Sequence, residues 1–243
     1  MKVDVFFSPA GVGEPEAEGK TAVVIDVIRA TSCMVEGIAN GARGIFPTVE
    51  PENAVKLASD LGREDTLLCG ERKGLRIEGF DLGNSPAEFS SEVVKGKQLV
   101  MSTTNGTRAF LAVEDAERVL AVSFLNLSAA AETLRGVEAL VVVCAGKENR
   151  FSMDDALCAG VLLQKLLADG PESLEMNDAT RIVLDMAEKY QPGESFLRSS
   201  AAGQALVDVG LEGDLALCAA LDRHAMVPEM KERRIGLPKP KTG

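Results

Sequence analysis

TAVVIDVIRATS, residues 21–32, passes from a short Val/Ile run to an acid, a cation and two hydroxyls within a dozen positions. A run this short and this rich in Val and Ile reads as a strand, 21–27, covered on both faces. The polar cluster behind it stands where the strand gives way to a helix, expected over 31–40. Thr31 or Ser32 is expected to cap that helix by accepting a hydrogen bond from a backbone N–H. Capping does not account for Asp26, because a carboxylate at the end of a buried strand is costly without a metal, a cation or several donors. Arg29 either pairs with Asp26 or holds a phosphate in a two-pronged fork.

The same strand-loop-helix module recurs outward from this joint. Strands are expected at 3–7, 44–49, 66–70, 97–102, 118–124 and 138–145, with helices at 51–61, 85–95, 105–115 and 126–135 between them. Such alternation predicts an α/β fold, a three-layer α/β/α sandwich on a largely parallel or mixed sheet. After about residue 150 the strand signal fades. Helices are expected at 153–170 and 174–190, and two short ones within 206–224, so the C-terminal third reads as helical. Residues 1–243 are expected to form a single domain, with the helix-rich portion covering one sheet face or forming a small lobe. The final GLPKPKTG reads as a loose tail.

Composition narrows the function. The chain of 243 residues is 46% hydrophobic and 26% charged, ordinary for a globular protein able to bury a sizeable core. A net charge of −11 argues against a nucleic-acid or anionic-membrane partner, which needs a basic face. No apolar stretch reaches the ~18 residues of a membrane span, and the N-terminus does not read as a signal peptide. The five cysteines are dispersed and never form CxxC, as expected of reduced thiols in a cytoplasmic protein. A single histidine, His224, leaves multi-histidine metal and phosphatase sites without their parts; it reads as an ordinary helix-end residue.

Three further joints carry chemistry. STTNGT, 102–107, surrounds Asn105-Gly106, a dipeptide that favours positive φ, with the hydroxyls of Ser102, Thr103, Thr104 and Thr107. A loop of this kind at a helix start either closes a turn or offers N–H groups to an anion. GERKGLRIEGFDLGNSP, 70–86, gathers Glu71, Arg72, Lys73, Arg76, Asp81 and Asn84 in a glycine-rich connection suited to a solvated loop or to closure over a polar ligand. CAGKENRFSMDD, 144–155, ends in Asp154 and Asp155, which favour a helix N-terminus by charge alone. Asp26, Glu71 and one of that pair equally supply the oxygen ligands of a hard divalent ion such as Mg²⁺. Strand ends of an open α/β sheet meet at one crevice, so these joints are expected to converge.

Two covalent phosphatase templates fail. Cys144 to Arg150 spells C-x5-R, but Val143 replaces the usual preceding histidine, and Lys147 and Glu148 crowd the cradle. DxDx[TV] fails because Ile28 stands at the second acid.

Taken in order, DVIRATS, GERKG with GFDLGNSP, STTNGT and CAGKENRFSMDDALCAG resemble the 2-phosphosulfolactate phosphatase family. The likeness runs from about Asp4 to Gly160 and resumes in GDLALCAALDRHAMVP, 213–228. The resemblance implies a Mg²⁺-dependent phosphatase that cleaves 2-phospho-3-sulfolactate to 3-sulfolactate and phosphate, in coenzyme M or sulfolactate formation. It carries Asp26, Arg29, Thr31, Glu71, Arg72, Asn84, Ser102 to Thr107 (Gly106 included) and Asp155 into the expected site. Ile28 and Ser32 depart mildly from the more usual DVFRATT; Asp154 stands where glutamate is common and Lys147 where a small hydroxyl is. The roles expected are Asp26, Arg29, Glu71 and Asp155 in catalysis, and Asp26, Glu71, Asp154 and Asp155 as metal ligands. Thr31, Ser32, Arg72, Asn84, the 102–107 loop and Lys147 are expected to bind substrate. A small phosphorylated anion is the expected partner, and a homodimer the expected assembly. Another phosphorylated hydroxy acid, or anion binding without turnover, are the alternatives.

Overall fold

The computed structural model describes residues 1–13, 15–168 and 174–238. Its strands are β1 (Lys2–Phe6), β2 (Thr21–Ile25), β3 (Gly44–Pro47), β4 (Thr66–Arg72), β5 (Leu75–Arg76), β6 (Gln98–Ser102), β7 (Arg118–Val122), β8 (Ala139–Cys144), β9 (Glu175–Met176), β10 (Glu229–Lys231) and β11 (Arg234–Gly236). The helices are α1 (Ala30–Ala39), α2 (Pro51–Asp60), α3 (Ser91–Val94), α4 (Gly106–Leu111), α5 (Leu127–Thr133), α6 (Met153–Leu167), α7 (Asp178–Lys189), α8 (Glu194–Ser199), α9 (Ala201–Asp208) and α10 (Gly213–Cys218). All strands join one mixed sheet in the order β5-β4-β6-β3-β11-β10-β7-β2-β8-β1-β9.

The seven strands expected from the sequence form, each within a few residues of its expected bounds. Their alternation sorts the core into two faces. Ala22, Val24, Val141, Val143, Leu99 and Met101 face α1 and α4, meeting Met34, Ile38 and Phe110. Val23, Ile25, Leu140 and Val142 face the opposite way, onto α5, α6 and α7, while Leu68 and Val100 pack under Ala54 and Ala58 of α2. The result is the expected three-layer sandwich.

Three expectations need correction. The C-terminal third is not wholly helical: β9 extends one edge, and the β10–β11 hairpin lies in the middle of the sheet between β3 and β7. The helix expected over 85–95 is only a 3-10 turn, Pro86–Glu88, followed by the four-residue α3. Ser90, with φ −70° and ψ 158°, is extended and separates the two pieces. The two short helices expected within 206–224 are α9, which starts earlier at Ala201, and α10. The end of the helix at 169–170 and tail residues 239–243 fall outside the described residues.

The hairpin divides the sheet into two parallel halves. Outward from it the order is β3, β6, β4 on one side and β7, β2, β8 on the other. Crossover helices exchange the halves: β2 leads through α1 to β3, and β6 through α4 to β7. Since β11 and β10 are antiparallel to each other and to β3 and β7, the halves run in opposed directions. Loops at carboxyl ends of both halves nonetheless line one cavity, beside the close approach of α1 and α4. At that approach a Cβ on Gly106 would lie 2.5 Å from Ala30 Cβ. Among the described residues no helix is long and apolar enough to cross a membrane.

Candidate active site

The loops after β2, β4, β6 and β8 border a cavity of about 500 Å³. Its lining brings together Asp26, Arg29, Glu71, Arg72, Asn84, Thr103, Thr104, Asn105, Lys147, Asp154 and Asp155. It omits Thr31, Ser32, Ser102, Gly106 and Thr107.

These omitted residues shape the loops instead. Thr31 Oγ1 accepts from Asp26 N at 3.0 Å and donates to Asp26 O at 2.8 Å, and Ser32 Oγ donates to Val27 O at 2.8 Å. Neither caps α1; both tie its first turn back to the end of β2. The free start of α1 is met by Asp26, whose Oδ1 accepts from Ala30 N at 3.2 Å. Thr103 and Thr107 form a reciprocal pair, each Oγ1 accepting from the other's backbone N at 3.2 Å. Ser102 Oγ donates to Val49 O at 3.0 Å. Asn105 has φ −115°, so Asn105-Gly106 is not the positive-φ turn that the dipeptide suggests. Gly106 serves close packing: a Cβ there would sit 2.7 Å from Asp26 Oδ2. Arg72, expected on substrate, holds strand-end carbonyls: it donates to Val49 O at 2.6 Å, Glu71 O at 2.7 Å and Ser102 O at 3.2 Å.

The acidic residues divide by what their oxygens touch. Glu71 accepts from Gly74 N and Thr104 N, both at 2.8 Å, and so braces the loops after β4 and β6. Asp155 accepts from Val27 N at 2.8 Å and Gly146 N at 2.9 Å, doing the same for those after β2 and β8. Asp154 accepts from Ser152 Oγ. Asp26 keeps Oδ2 against Gly106 at the cavity. Burial pushes the Asp26 carboxyl up to about 7, with Asp154 and Glu71 adding repulsion while the Ala30 N–H and Arg29 oppose the rise. Burial also raises Asp154, and raises Asp155 well above the usual carboxylate range, where Asp154 and Asp26 reinforce it.

Two buried polar atoms on the lining have no hydrogen-bond partner, Asn84 Oδ1 and Thr104 Oγ1. Unmet groups of this kind are rare in a folded interior; the Thr104 hydroxyl is free to donate to an anion, whereas Asn84 Oδ1 can only accept. Lys147 lies on the rim, with Nζ donating to Ala201 O at 2.9 Å. Sequence reasoning missed the opposite wall, formed by Ala202, Ala205, Leu206 and Asp208 of α9 with Val209 just beyond it. Their helical spacing was visible; their place over the cavity was not.

Cys144 is fully buried in the core, and its thiol is pushed well above the ordinary range by burial. It does not line the cavity, so the C-x5-R spacing has no catalytic meaning. Cys144→Ser should leave turnover per folded molecule within about twofold, while burying a hydroxyl lowers stability by roughly 1–3 kcal/mol. Steady-state phosphate release and a thermal melt separate these effects; inactivation of the folded variant would reinstate the cysteine. His224 also lies elsewhere, six residues past α10, with Nε2 2.8 Å from Glu36 Oε2.

A divalent cation suits this chemistry in one respect. Asp26, Asp154 and Asp155 are buried together, and Arg29 beside them already pairs with Asp214. Among the described residues no three His, Cys, Asp or Glu side chains form a ready cation cage. Mg²⁺ does not require one, since it commonly takes one or two carboxylates and completes its shell with water and phosphate oxygens.

Strand-end loops that place carboxylates, an arginine and unpartnered polar groups around one cavity give the α/β protein the build of a hydrolase for small anions. Residues 6–233 match the family described as 2-phosphosulpholactate phosphatase. A probable 2-phosphosulfolactate phosphatase of Clostridium acetobutylicum is 37% identical over 230 residues, 94% of this chain and 97% of that protein. Proteins of the same description from Clostridium perfringens strain SM101 and Thermotoga petrophila are each 38% identical, covering 97% and 94% of this chain and 96% and 95% of their own. The chain belongs to the 2-phosphosulfolactate phosphatase family, a family of phosphoric monoester hydrolases.

Proposed function

We propose that the protein hydrolyses 2-phospho-3-sulfolactate to 3-sulfolactate and phosphate, with Mg²⁺, on the route to coenzyme M or to sulfolactate itself. The observation that supports this reading is the grouping of Asp26, Arg29, Asn84, Thr104 and Asp154 on one cavity. The names of the relatives indicate the substrate.

In this reading Arg29 holds phosphoryl oxygens with its remaining N–H groups. Thr104 Oγ1 donates to the bound anion, and the Asn84 amide hydrogen-bonds its carbon skeleton's oxygens. Asp26 and Asp154 would hold the cation. Glu71 and Asp155, whose oxygens accept from backbone N–H groups, fix the four loops in place and keep further lone pairs towards the cavity. A cation held there would offset phosphate charge and lower the pKa of attacking water. The mostly apolar α9 wall, which carries one acid, Asp208, lowers the polarity around the charges it faces. Lys147 at the rim attracts the carboxylate and sulfonate end.

Phosphate release from a panel of phosphorylated hydroxy acids tests the reading. 2-Phospho-3-sulfolactate should be the best substrate, inactive with EDTA and restored by Mg²⁺. Release that ignores EDTA removes the cation, and no release from any member of the panel removes the activity.

A further inference from the structure

Arg29 is held from two sides. Its Nη1 donates to Asp214 Oδ2 at 2.7 Å, and its Nη2 donates to Gly74 O at 2.7 Å. Asp214 lies in α10, and its other oxygen accepts from Ser85 Oγ at 2.6 Å. Arg29 and Asp214 are 3% and 5% exposed. Arg29 lines the cavity, whereas Asp214 does not, so Asp214 reaches a bound molecule only through the guanidinium. A single acceptor would leave the guanidinium plane free to swing. Acceptors on both terminal nitrogens fix the plane and leave three of its five N–H groups for a ligand.

We propose that Asp214 is a positioning residue for the phosphatase reaction: the Ser85–Asp214–Arg29–Gly74 chain sets the plane in which Arg29 meets the phosphoryl group. This rests on the function proposed above. The arrangement has opposite consequences for binding and for turnover. The Asp214 carboxylate competes with a bound anion for the charge of Arg29, so its removal strengthens ground-state binding of phosphate. A fork no longer held in its plane follows the spreading oxygens of the transition state poorly, so the chemical step slows.

The test is a double-mutant cycle on the full chain with Mg²⁺ held constant, using wild type, Asp214→Asn, Arg29→Lys and the double variant. Two quantities are read: kcat and KM for 2-phospho-3-sulfolactate, and the Kd of inorganic phosphate by calorimetry. Asp214→Asn should lower kcat by about tenfold or more without raising KM, and tighten phosphate by about threefold. In the Arg29→Lys background both effects should shrink to under about twofold. An equal loss of kcat in both backgrounds, or weaker or unchanged phosphate binding in Asp214→Asn, overturns the proposal. The phosphate titration needs no turnover, so an inactive wild type would refute the proposed activity while the titration still decides Asp214. If Asp214→Asn does not fold, Ser85→Ala takes its place, since it frees only the outer anchor of Asp214. A loss of kcat by about two- to fivefold without tighter phosphate binding supports the proposal, because the carboxylate stays on Arg29 while its outer anchor is gone; an unshifted kcat, or tighter phosphate, overturns it.

Discussion

Asp26→Asn should inactivate the protein and make it more stable. The amide fits the same space and keeps an oxygen to accept from Ala30 N, so α1 retains its start. Turnover should fall by at least about 10²-fold, since the carboxylate open to the cavity is lost from the proposed cation site. Stability moves the other way because Asp26 is 5% exposed and sits among other acids. The sign follows from the raised pKa. With a folded value of about 7 against 3.8 for the free group, the folded wild type carries an unfavourable charge fully above about pH 7. The burden fades as pH falls through 7 towards 3.8, because the folded protein then takes up the proton. Melts in EDTA should therefore show Asp26→Asn ahead by roughly 1–3 kcal/mol at pH 8, with the gap closing towards pH 4. A variant less stable than wild type at pH 8 would contradict this account of the site.

Gly106→Ala is expected to damage both fold and activity through a single methyl group. The new Cβ would lie 2.5 Å from Ala30 Cβ and 2.7 Å from Asp26 Oδ2. Ala30 Cβ is bonded directly to the α1 backbone, so relief requires the starts of α1 and α4 to separate. Overpacking of this kind costs about 1–3 kcal/mol. One of the displaced groups, Asp26, lines the cavity, so kcat should fall by about tenfold or more even in the molecules that remain folded. Unaltered kcat with a lowered melting temperature would show that the cavity tolerates the shift.

Strands were legible where Val and Ile runs announced them, and the central hairpin was not, because its segment carries almost no apolar pattern. EMKERRIG, 229–236, is mostly charged, and only Met230 and Ile235 face the core. Its turn, Glu232-Arg233, adopts φ of 51° and 57° without the Asn or Gly that usually signals such a hairpin. The joints rich in acid and hydroxyl groups could be found by inspection, yet their division of labour could not. Arg72 looked like a ligand cation, but strand-end carbonyls need donors and it supplies them. Thr31 looked like a cap, but α1 starts one residue sooner and its hydroxyl turns back to Asp26. Asp214 lies 185 positions from Arg29, a pairing that local pattern does not reveal.

The place of the β10–β11 hairpin also bears on synthesis. β3 and β7 are both made long before the segment that joins them, so during translation each presents an open edge of unpaired N–H and C=O groups. The nascent chain must hold two half-sheets apart from other strands until residues 229–236 arrive to close the seam, and that interval is when it is most exposed to mispairing with its neighbours.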